Sequence, residues 1–274
     1  MELEITTYYC LCEELLTALN IKENSQVKTN NAEVMTVLLT AACFFHGNIR
    51  NALIFLKEHG YTPDMISESR LDRRLHAIDD FVWLSLFFIL SKTFKDRNKS
   101  EEYIVDSFPV PVCDNIRISR SKIFKTERYR GYIACKRRFF YGIRVHMIVT
   151  ADKEPVEFQF APGADADVAV FKQLDFDLPP GSVCHGDKAY NDYNFEDMLK
   201  LAADITFKPI RKKNSLRAID PAEVRRTERR TRKKIETGFS MITNLFPKKI
   251  HAVTQKGFAL KVMSFILVFA IRFL

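Results

Sequence analysis

The sequence lacks the cysteine and histidine spacings that build a zinc site. Its six cysteines include no CxxC pair, and none lies in a cluster with histidine at zinc-ligand spacing. Cys10 and Cys12 form an isolated CxC pair, so we expect reduced thiols in a cytoplasmic protein. The first residues also lack the pattern of a signal peptide. These absences argue against structural zinc proteins and disulfide-stabilised secreted proteins.

Long apolar runs are absent as well. Residues 258–274 are strongly apolar, but Lys261 and Arg272 interrupt them. The uninterrupted part, residues 262–271, is shorter than the roughly 20 residues that a membrane-spanning helix needs. We therefore expect a buried helix or a dimer surface at this end of the sequence and no membrane association. No internal repeat or low-complexity tract is present.

Positive charge is concentrated in two windows of an otherwise acidic chain. The formal net charge is +8. Residues 117–144 contain ten Lys or Arg and one acid, and residues 208–234 contain twelve and three, so the remainder carries a net charge of −10. Such clustering is typical of proteins that bind nucleic acid. The alternative is a solvated helix face together with a mobile loop.

Secondary-structure patterns divide the chain near residue 98. Before it, runs 32–45 and 49–59 have the composition of helices, and His46-Gly47-Asn48 separates them. Run 81–90 is apolar on every side, which predicts a buried helix. After residue 98, short runs rich in β-branched and aromatic residues alternate with helical runs.

The second part has the predicted order β-β-β-α-β-α-β-α-α. Its predicted strands are 103–106, 139–150, 156–160, 182–184 and 204–208, its short helices are 167–174 and 192–203, and a helical pattern runs from 222 to the end with breaks near Pro247 and Gly257. A hairpin followed by alternating strands and helices is typical of a mixed sheet covered by helices. We therefore predict an α+β protein: a helical N-terminal region followed by an RNase H-like mixed β-sheet flanked by helices.

Two aspartates occupy strand positions that favour a ligand site. Asp106 follows the apolar pair Ile104-Val105, where a buried acid needs compensation by a cation or by hydrogen bonds. Asp187 follows a short predicted strand and Gly186, and ligand sites in α/β sheets favour such strand ends. The alternatives are an ordinary strand-end acid for Asp106 and a turn residue for Asp187.

Glu236 lies in a predicted helix, residues 224–246, that carries two stripes. The apolar stripe is Ile235, Phe239, Ile242 and Phe246, and the second stripe is Arg225, Arg229, Arg232 and Glu236. The stripes are separated by about 100° around the helix. If the apolar stripe packs on the sheet, Glu236 lies at the border of that contact and reaches toward the aspartates. The alternative is an exposed i,i+4 salt bridge between Glu236 and Arg232.

Three segments surround these acids: residues 103–110 (Tyr-Ile-Val-Asp-Ser-Phe-Pro-Val), 186–190 (Gly-Asp-Lys-Ala-Tyr) and 232–240 (Arg-Lys-Lys-Ile-Glu-Thr-Gly-Phe-Ser). In this order they resemble the first-aspartate, second-aspartate and glutamate motifs of DDE-type transposases from bacterial insertion sequences. Residues 45–48 and 69–76 resemble the helical region of short transposases of this kind. The resemblance therefore covers nearly the whole chain.

The resemblance implies a metal-dependent DNA transposase. Asp106, Asp187 and Glu236 are then the catalytic residues and the ligands of two Mg²⁺ ions, with Mn²⁺ as a substitute, because oxygen-only ligands select these ions. It also implies endonuclease cleavage at terminal inverted repeats, strand transfer into double-stranded target DNA and a homodimer in the synaptic complex. The expected domains are a helical DNA-binding region, 1–98, and a catalytic domain, 99–274, with a basic loop at 114–138. We expect a cytoplasmic location, at the nucleoid when DNA is bound.

Basic residues from several segments are candidate DNA contacts. They are Arg70, Arg73, Arg74, Arg120, Lys122, Lys125, Arg128, Arg130, Lys136, Arg137, Arg138, Lys188, Arg225, Arg229 and Arg232. Phe124, Tyr129 and Tyr132 lie among those of the basic loop, and this mixture suits phosphate contacts with some base stacking. The alternatives are a solvated helix face at 70–74 and a charged disordered loop at 114–138.

The motifs also depart from a related transposase group. In that group a Tyr, an Arg, a Glu and a Lys recur at fixed spacing, and here Arg232 and Glu236 fit while Arg229 and Thr243 replace the Tyr and the Lys. DNA-end contacts of that signature therefore do not carry over. Two rival functions stay open: an RNase H-like nuclease without strand transfer, and a catalytically inactive, transposase-derived DNA-binding protein.

Overall fold

A computed structural model describes residues 1–24, 26–114, 118–119, 121–133, 136–211, 215–217, 233, 239–247 and 249–274. Its chain forms two compact units: Met1–Leu90 with Asn244–Leu274, and Ser91–Thr243. The helices are α1 (Glu2–Ala18), α2 (Asn31–Phe44), α3 (Ile49–Glu58), α4 (Glu68–Ala77), α5 (Asp80–Arg97), α6 (Asp167–Phe171), α7 (Tyr193–Ala203) and α8 (Gln255–Ile271). The strands are β1 (Glu102–Asp114), β2 (Arg130–Ile133), β3 (Arg138–Thr150), β4 (Pro155–Pro162), β5 (Val183–Gly186) and β6 (Thr206–Pro209).

The first unit is helical and is built around α2. This helix packs against α1, α3, α4 and α8. It starts with a capping box in which Asn30 accepts from the Glu33 N–H and Glu33 accepts from the Asn30 N–H. Its residues from 34 to 42 are all buried, as are residues 262–271 of α8. The apolar end of the sequence is therefore a core helix of this unit, as predicted.

Two helical predictions for this unit are wrong. Residues 81–90 are not buried on every side, because Phe81, Leu84 and Phe88 are 61%, 48% and 57% exposed. An all-apolar run carries no polar stripe that marks its outer face. Gly257 does not break the last helix either. It lies in the first turn of α8, where its N–H donates to the Thr254 cap at 3.0 Å.

The second unit contains a six-stranded mixed sheet. The strand order is β2-β3-β1-β5-β6, and β4 pairs with β3 as well. β1 is antiparallel to β3 along its length, whereas β5 is parallel to both β1 and β6. The predicted hairpin is confirmed by the antiparallel pair of β3 and β4. This helical region followed by a mixed sheet with helices is the predicted α+β class and is consistent with an RNase H-like fold.

Two strands depart from the sequence predictions. β1 continues to Asp114, well past the predicted end at Asp106, in spite of Pro109 and Pro111. Its pairing with β5 ends at Val105, so the prolines lie where β1 has lost that neighbour and a missing N–H is tolerated. The predicted basic loop 114–138 also contains β2, which pairs with the start of β3.

An aromatic cluster joins α6 and α7 to the sheet. Phe171 of α6 lies at ring-centroid distances of 4.6 Å from Phe207 of β6, 5.1 Å from Tyr190 and 5.3 Å from Phe195 of α7. Asp192 caps α7 by accepting from the Phe195 N–H at 3.0 Å. The segment that follows β5 is therefore fixed from both sides by buried aromatic rings.

Three further observations concern the chain as a whole. The compact units differ from the predicted domains 1–98 and 99–274, because α8 belongs to the first unit and α5 continues from the first into the second. The described cysteines are all free thiols. No single described helix is long and apolar enough to cross a membrane. Only α2 and α3 taken together reach the necessary length and apolar composition among the described helices, and the chain bends by 111° between them.

Candidate active site

The pairing of β1 with β5 brings Asp106 and Asp187 together. Val105 lies opposite Gly186 in this parallel pair, and each aspartate is the next residue of its own strand or segment. Neighbouring strands lie roughly 4.8 Å apart, so the two aspartates leave adjacent strands at the same level of the sheet. Two of the three predicted catalytic acids are therefore neighbours at the centre of the sheet.

Gly186 is required by the packing beneath Asp187. A Cβ at this position lies 2.7 Å from Cζ of Phe207 and 3.1 Å from Cγ1 of Val105, closer than the packing allows. Asp187 itself is exposed and caps a one-turn 3₁₀ helix, Lys188–Tyr190, by accepting from the Lys188 N–H at 2.6 Å. The glycine thus lets the strand pass close to its neighbours directly before the acid.

The environment of Asp106 disfavours its negative charge. The pKa of Asp106 is raised from its ordinary value of 3.8 to about 7, chiefly by burial and to a smaller extent by the charges of Asp187 and Asp167, while the Ser107 N–H and Arg144 oppose the shift. The Ser107 N–H donates to Oδ1 of Asp106 at 2.8 Å. In this environment the Asp106 carboxyl group is stabilised either by a bound proton or by a cation that lies between the two aspartates.

A polar network lies on the other face of β1. Asp106 pairs with Met147 and Ser107 with His146, so Ser107 and His146 share the face opposite to Asp106. The Ser107 hydroxyl donates to Oδ1 of Asp167, the first residue of α6, at 2.9 Å. Nη1 of Arg144 lies 3.6 Å from the same carboxylate oxygen. This network was not predicted from the sequence.

His146 is the buried centre of this network. It is 0% exposed, and its Nδ1 lies 3.4 Å from the hydroxyl of Tyr190. Its Nε2 has no hydrogen-bond partner within the described part of the chain and lies 3.8 Å from Oδ1 of Asp167. Burial lowers the pKa of His146 to about 4, against the opposing charge of Asp167, so the imidazole is neutral near pH 7 and the 3.8 Å contact is not an ion pair.

Glu236 lies outside the described residues, so the third predicted acid has no described geometry. Residues 239–245 are described and helical, and the ring of Phe239 lies 6.3 Å from the ring of Phe108. Phe108 shares the strand face of Asp106. Among the described residues, no three His, Cys, Asp or Glu side chains are grouped so that they could hold a metal ion.

The predicted DNA-contact residues differ in exposure, and some of them lie outside the described residues. Arg70, Arg73, Lys122, Lys125, Arg128, Arg130, Lys136 and Arg137 are exposed, Arg138 and Lys188 are half-buried, and Arg120, Arg225, Arg229 and Arg232 lie outside the described residues. Arg74 is bound within its unit to Glu23 at 2.6 Å and Asn31 at 2.7 Å. In the second basic window, Arg211 and Arg217 both bind the buried Glu196. Part of the positive charge is therefore neutralised inside the fold.

The aromatic residues of the basic loop separate into buried and exposed members. Phe124 is buried and stacks on Tyr129 at 4.1 Å. Tyr132 and Phe139, which was not among the predicted stacking residues, face each other across β2 and β3 with ring centroids 5.0 Å apart, and each is 44% exposed. The guanidinium of Arg130 lies 4.9 Å from the centre of the Phe139 ring.

The segment that contains the sheet and the two aspartates matches a known protein family. The transposase DDE domain family matches residues 97–252, which is more than half of the 274-residue chain. The chain belongs to this family. A comparison with curated proteins and one with solved structures gave no match. The matched region of the transposase includes Asp106, Asp187 and Glu236 and all six strands of the sheet.

The family fixes the coarse chemistry of the site. DDE transposase domains act on DNA and generally use divalent metal ions. The adjacent carboxylates of Asp106 and Asp187 suit such an ion, because hard divalent cations prefer oxygen ligands. The burial of Asp106 beside a second acid is the kind of charge arrangement that a bound cation compensates.

Substitution of Asp106 by Asn is expected to stabilise the metal-free transposase at alkaline pH. The pKa of Asp106 is raised by folding, so its contribution to stability is present below about pH 4 and is lost as pH rises through about 7. Asp106→Asn removes this loss. Urea unfolding in EDTA should show a gain on the order of 2 kcal/mol at pH 8 and little gain at pH 4, near the ordinary pKa of the group. The exposed Asp152→Asn is the control, with a change below about 0.5 kcal/mol at either pH, and an equal gain at both pH values contradicts the assigned environment.

Substitution of Gly186 by Ala is expected to destabilise the second unit. The new methyl group meets Phe207 and Val105, and overpacking of this kind costs about 1–3 kcal/mol. A double variant, Gly186→Ala with Phe207→Leu, opens space for the methyl group. Urea unfolding of both single variants and the double variant should show a combined cost smaller than the sum. Strict additivity contradicts a clash between residues 186 and 207.

Proposed function

We propose that this transposase binds the terminal inverted repeats of an insertion sequence, cleaves DNA strands at those ends and transfers them into double-stranded target DNA. The observation that supports this most directly is the register of β1 and β5, which makes Asp106 and Asp187 neighbours. Both acids lie inside the family match. Cleavage and transfer are the same displacement at phosphorus with water or a DNA 3′-hydroxyl as the nucleophile, so one site serves both steps.

Asp106, Asp187 and Glu236 are proposed to hold two Mg²⁺ ions, for which Mn²⁺ can substitute. Such ions would neutralise negative charge on the reacting phosphate and activate the nucleophile. Asp106 contributes a half-buried carboxylate that is oriented by the Ser107 N–H at 2.8 Å. Asp187 contributes an exposed carboxylate beside it. The half-buried carboxylate of Asp106 would bind an ion from the side of the sheet, and the exposed carboxylate of Asp187 would bind it from the side that DNA can reach.

The position of Phe239 supports the assignment of Glu236. Phe239 is 6% exposed and packs against Phe108 on the strand face that carries Asp106. Glu236 precedes it by three residues, and residues three apart in a helix lie on one side. Glu236 lies outside the described residues, so its place beside Asp106 stays a prediction from helix periodicity.

The exposed basic residues are proposed to bind the DNA backbone. Those of residues 122–138 lie near the exposed pair Tyr132 and Phe139 in the sequence, and the guanidinium of Arg130 is 4.9 Å from the Phe139 ring. This mixture suits contacts with phosphates and with unpaired bases. Arg70 and Arg73 extend this role to the helical region 1–98. Lys188, Arg225, Arg229 and Arg232 are proposed to contact DNA near the acids. Arg74 is the weakest candidate, because Glu23 and Asn31 already bind it.

The assembly and location are proposed on the same basis. Both ends of the element must be joined in one complex, so we propose a homodimer in the synaptic state. We also propose a cytoplasmic protein that lies at the nucleoid when DNA is bound. An RNase H-like nuclease without strand transfer, and an inactive DNA-binding derivative, are the two rival functions. The retention of both described aspartates favours the active enzyme over the second rival.

Activity on DNA that carries the element's end sequence tests this proposal. Short inverted repeats that bracket the gene define the substrate, and the products are separated on denaturing gels with Mg²⁺, Mn²⁺ or EDTA. Wild-type protein should yield cut ends and joined products with either metal and neither in EDTA. Asp106→Asn, Asp187→Asn and Glu236→Gln should each lower both products by roughly 10³-fold or more, because each removes a metal ligand.

Controls separate the rival functions. Asp152→Asn removes an exposed acid from the turn between β3 and β4 and should retain wild-type activity. Cut DNA without any joined product identifies the nuclease. DNA binding without metal-dependent cleavage identifies the inactive derivative. Full activity of Asp106→Asn or Glu236→Gln shows that the site is assigned to the wrong residues.

A further inference from the structure

Asp167 interacts with three polar side chains of the face opposite to Asp106. Its Oδ1 accepts from the Ser107 hydroxyl at 2.9 Å and lies 3.6 Å from Arg144 and 3.8 Å from His146. Its side chain is 23% exposed. Neither the motifs of the sequence nor the proposed metal site gives this carboxylate a role.

Ser107 connects this carboxylate to the proposed metal site. Its hydroxyl binds Asp167 on one face of β1, and its N–H donates to Oδ1 of Asp106 on the other, at 2.8 Å. The bond to Asp167 holds the side chain of Ser107 in place. Any displacement of Ser107 relative to Asp167 therefore also moves the N–H that donates to Asp106.

A second connection leads to the other aspartate. The Tyr190 hydroxyl lies 3.4 Å from Nδ1 of the buried His146, and Nε2 of the same imidazole lies 3.8 Å from Asp167. Tyr190 is 1% exposed and ends the 3₁₀ turn that Asp187 caps. One buried cluster therefore contacts the residue that follows Asp106 and the turn that follows Asp187.

We propose that Asp167 is a positioning residue that orients Asp106 for metal binding through the Ser107 hydroxyl. This inference rests on the proposed function, since it takes Asp106 as a metal ligand. Asp167 is not proposed as a further ligand, because its Oδ1 is bound to Ser107 beside Arg144, on the strand face opposite to Asp106. Groups that orient metal ligands typically contribute 10–100-fold to metal affinity.

Mn²⁺ binding to the full chain, measured by electron paramagnetic resonance without DNA, tests the inference. Asp167→Asn and Ser107→Ala should each raise the Kd for Mn²⁺ by about 10–100-fold. Ser107→Thr keeps the hydroxyl and should stay within about threefold of wild type. Ser107→Ala also serves as the milder variant if Asp167→Asn fails to fold, because it removes a single oxygen.

A matched control distinguishes positioning from general loss of stability. Glu154 is a buried carboxylate at the far end of β3, bound to Arg97 at 2.8 Å and to Thr150 at 3.0 Å. Glu154→Gln removes a comparable charge from the same sheet and should lower the melting temperature without changing the Kd for Mn²⁺. An equal rise of Kd in this variant attributes the effect to stability and overturns the inference.

The remaining outcomes separate this inference from the proposed function. If Asp106→Asn abolishes Mn²⁺ binding but Asp167→Asn and Ser107→Ala bind like wild type, the metal site stands and the positioning role is wrong. If Asp167→Asn weakens binding and Ser107→Ala does not, the charge of Asp167 acts directly and the path through Ser107 is wrong. If wild type binds no Mn²⁺, or Asp106→Asn binds it equally well, both proposals fail.

Discussion

The parallel register between β1 and β5 is the constraint on which the site depends. It sets Val105 opposite Gly186, and the next residue on each side is an aspartate. A shift of one residue in either strand turns the following side chain to the opposite face of the sheet. Buried residues on both strands resist such a shift, because Val105 and Cys184 are 0% exposed. The hydrophobic core thereby determines the separation of the two charges.

This arrangement opposes stability in the metal-free protein. The burial that fixes β1 also raises the pKa of Asp106 to about 7, and Asp187 adds a like charge beside it. The Ser107 N–H and the charge of Arg144 partly stabilise the ionised carboxylate of Asp106. The remaining destabilisation is of the kind that a bound cation would offset. Electrostatic destabilisation of this kind is typical of binding sites, where the bound ligand stabilises the folded protein.

The sequence predicts much of the fold and less of the site. The hairpin of β3 and β4 and the core helix α8 follow from the local pattern of residue types along the chain. The full length of β1 does not, because Pro109 and Pro111 lie beyond the point at which β5 ceases to pair with β1, and the sequence does not reveal that point. Asp167 is invisible for a similar reason: 60 residues separate it from Ser107, and only the packing of α6 on the sheet joins them. The charge windows also overstate the free positive charge, since Arg211 and Arg217 are paired with Glu196.

The two aspartates are held in different ways, and this difference explains the residues around them. Asp106 lies within a long strand and is fixed by pairing on both sides up to Val105. Asp187 is exposed and lies beyond the end of a four-residue strand, so it has no pairing of its own. Its position must come from its chain neighbours: Gly186 allows close packing before it, and buried Tyr190 anchors the turn after it. A site that needs an exposed acid beside DNA therefore depends on burial a few residues away from that acid.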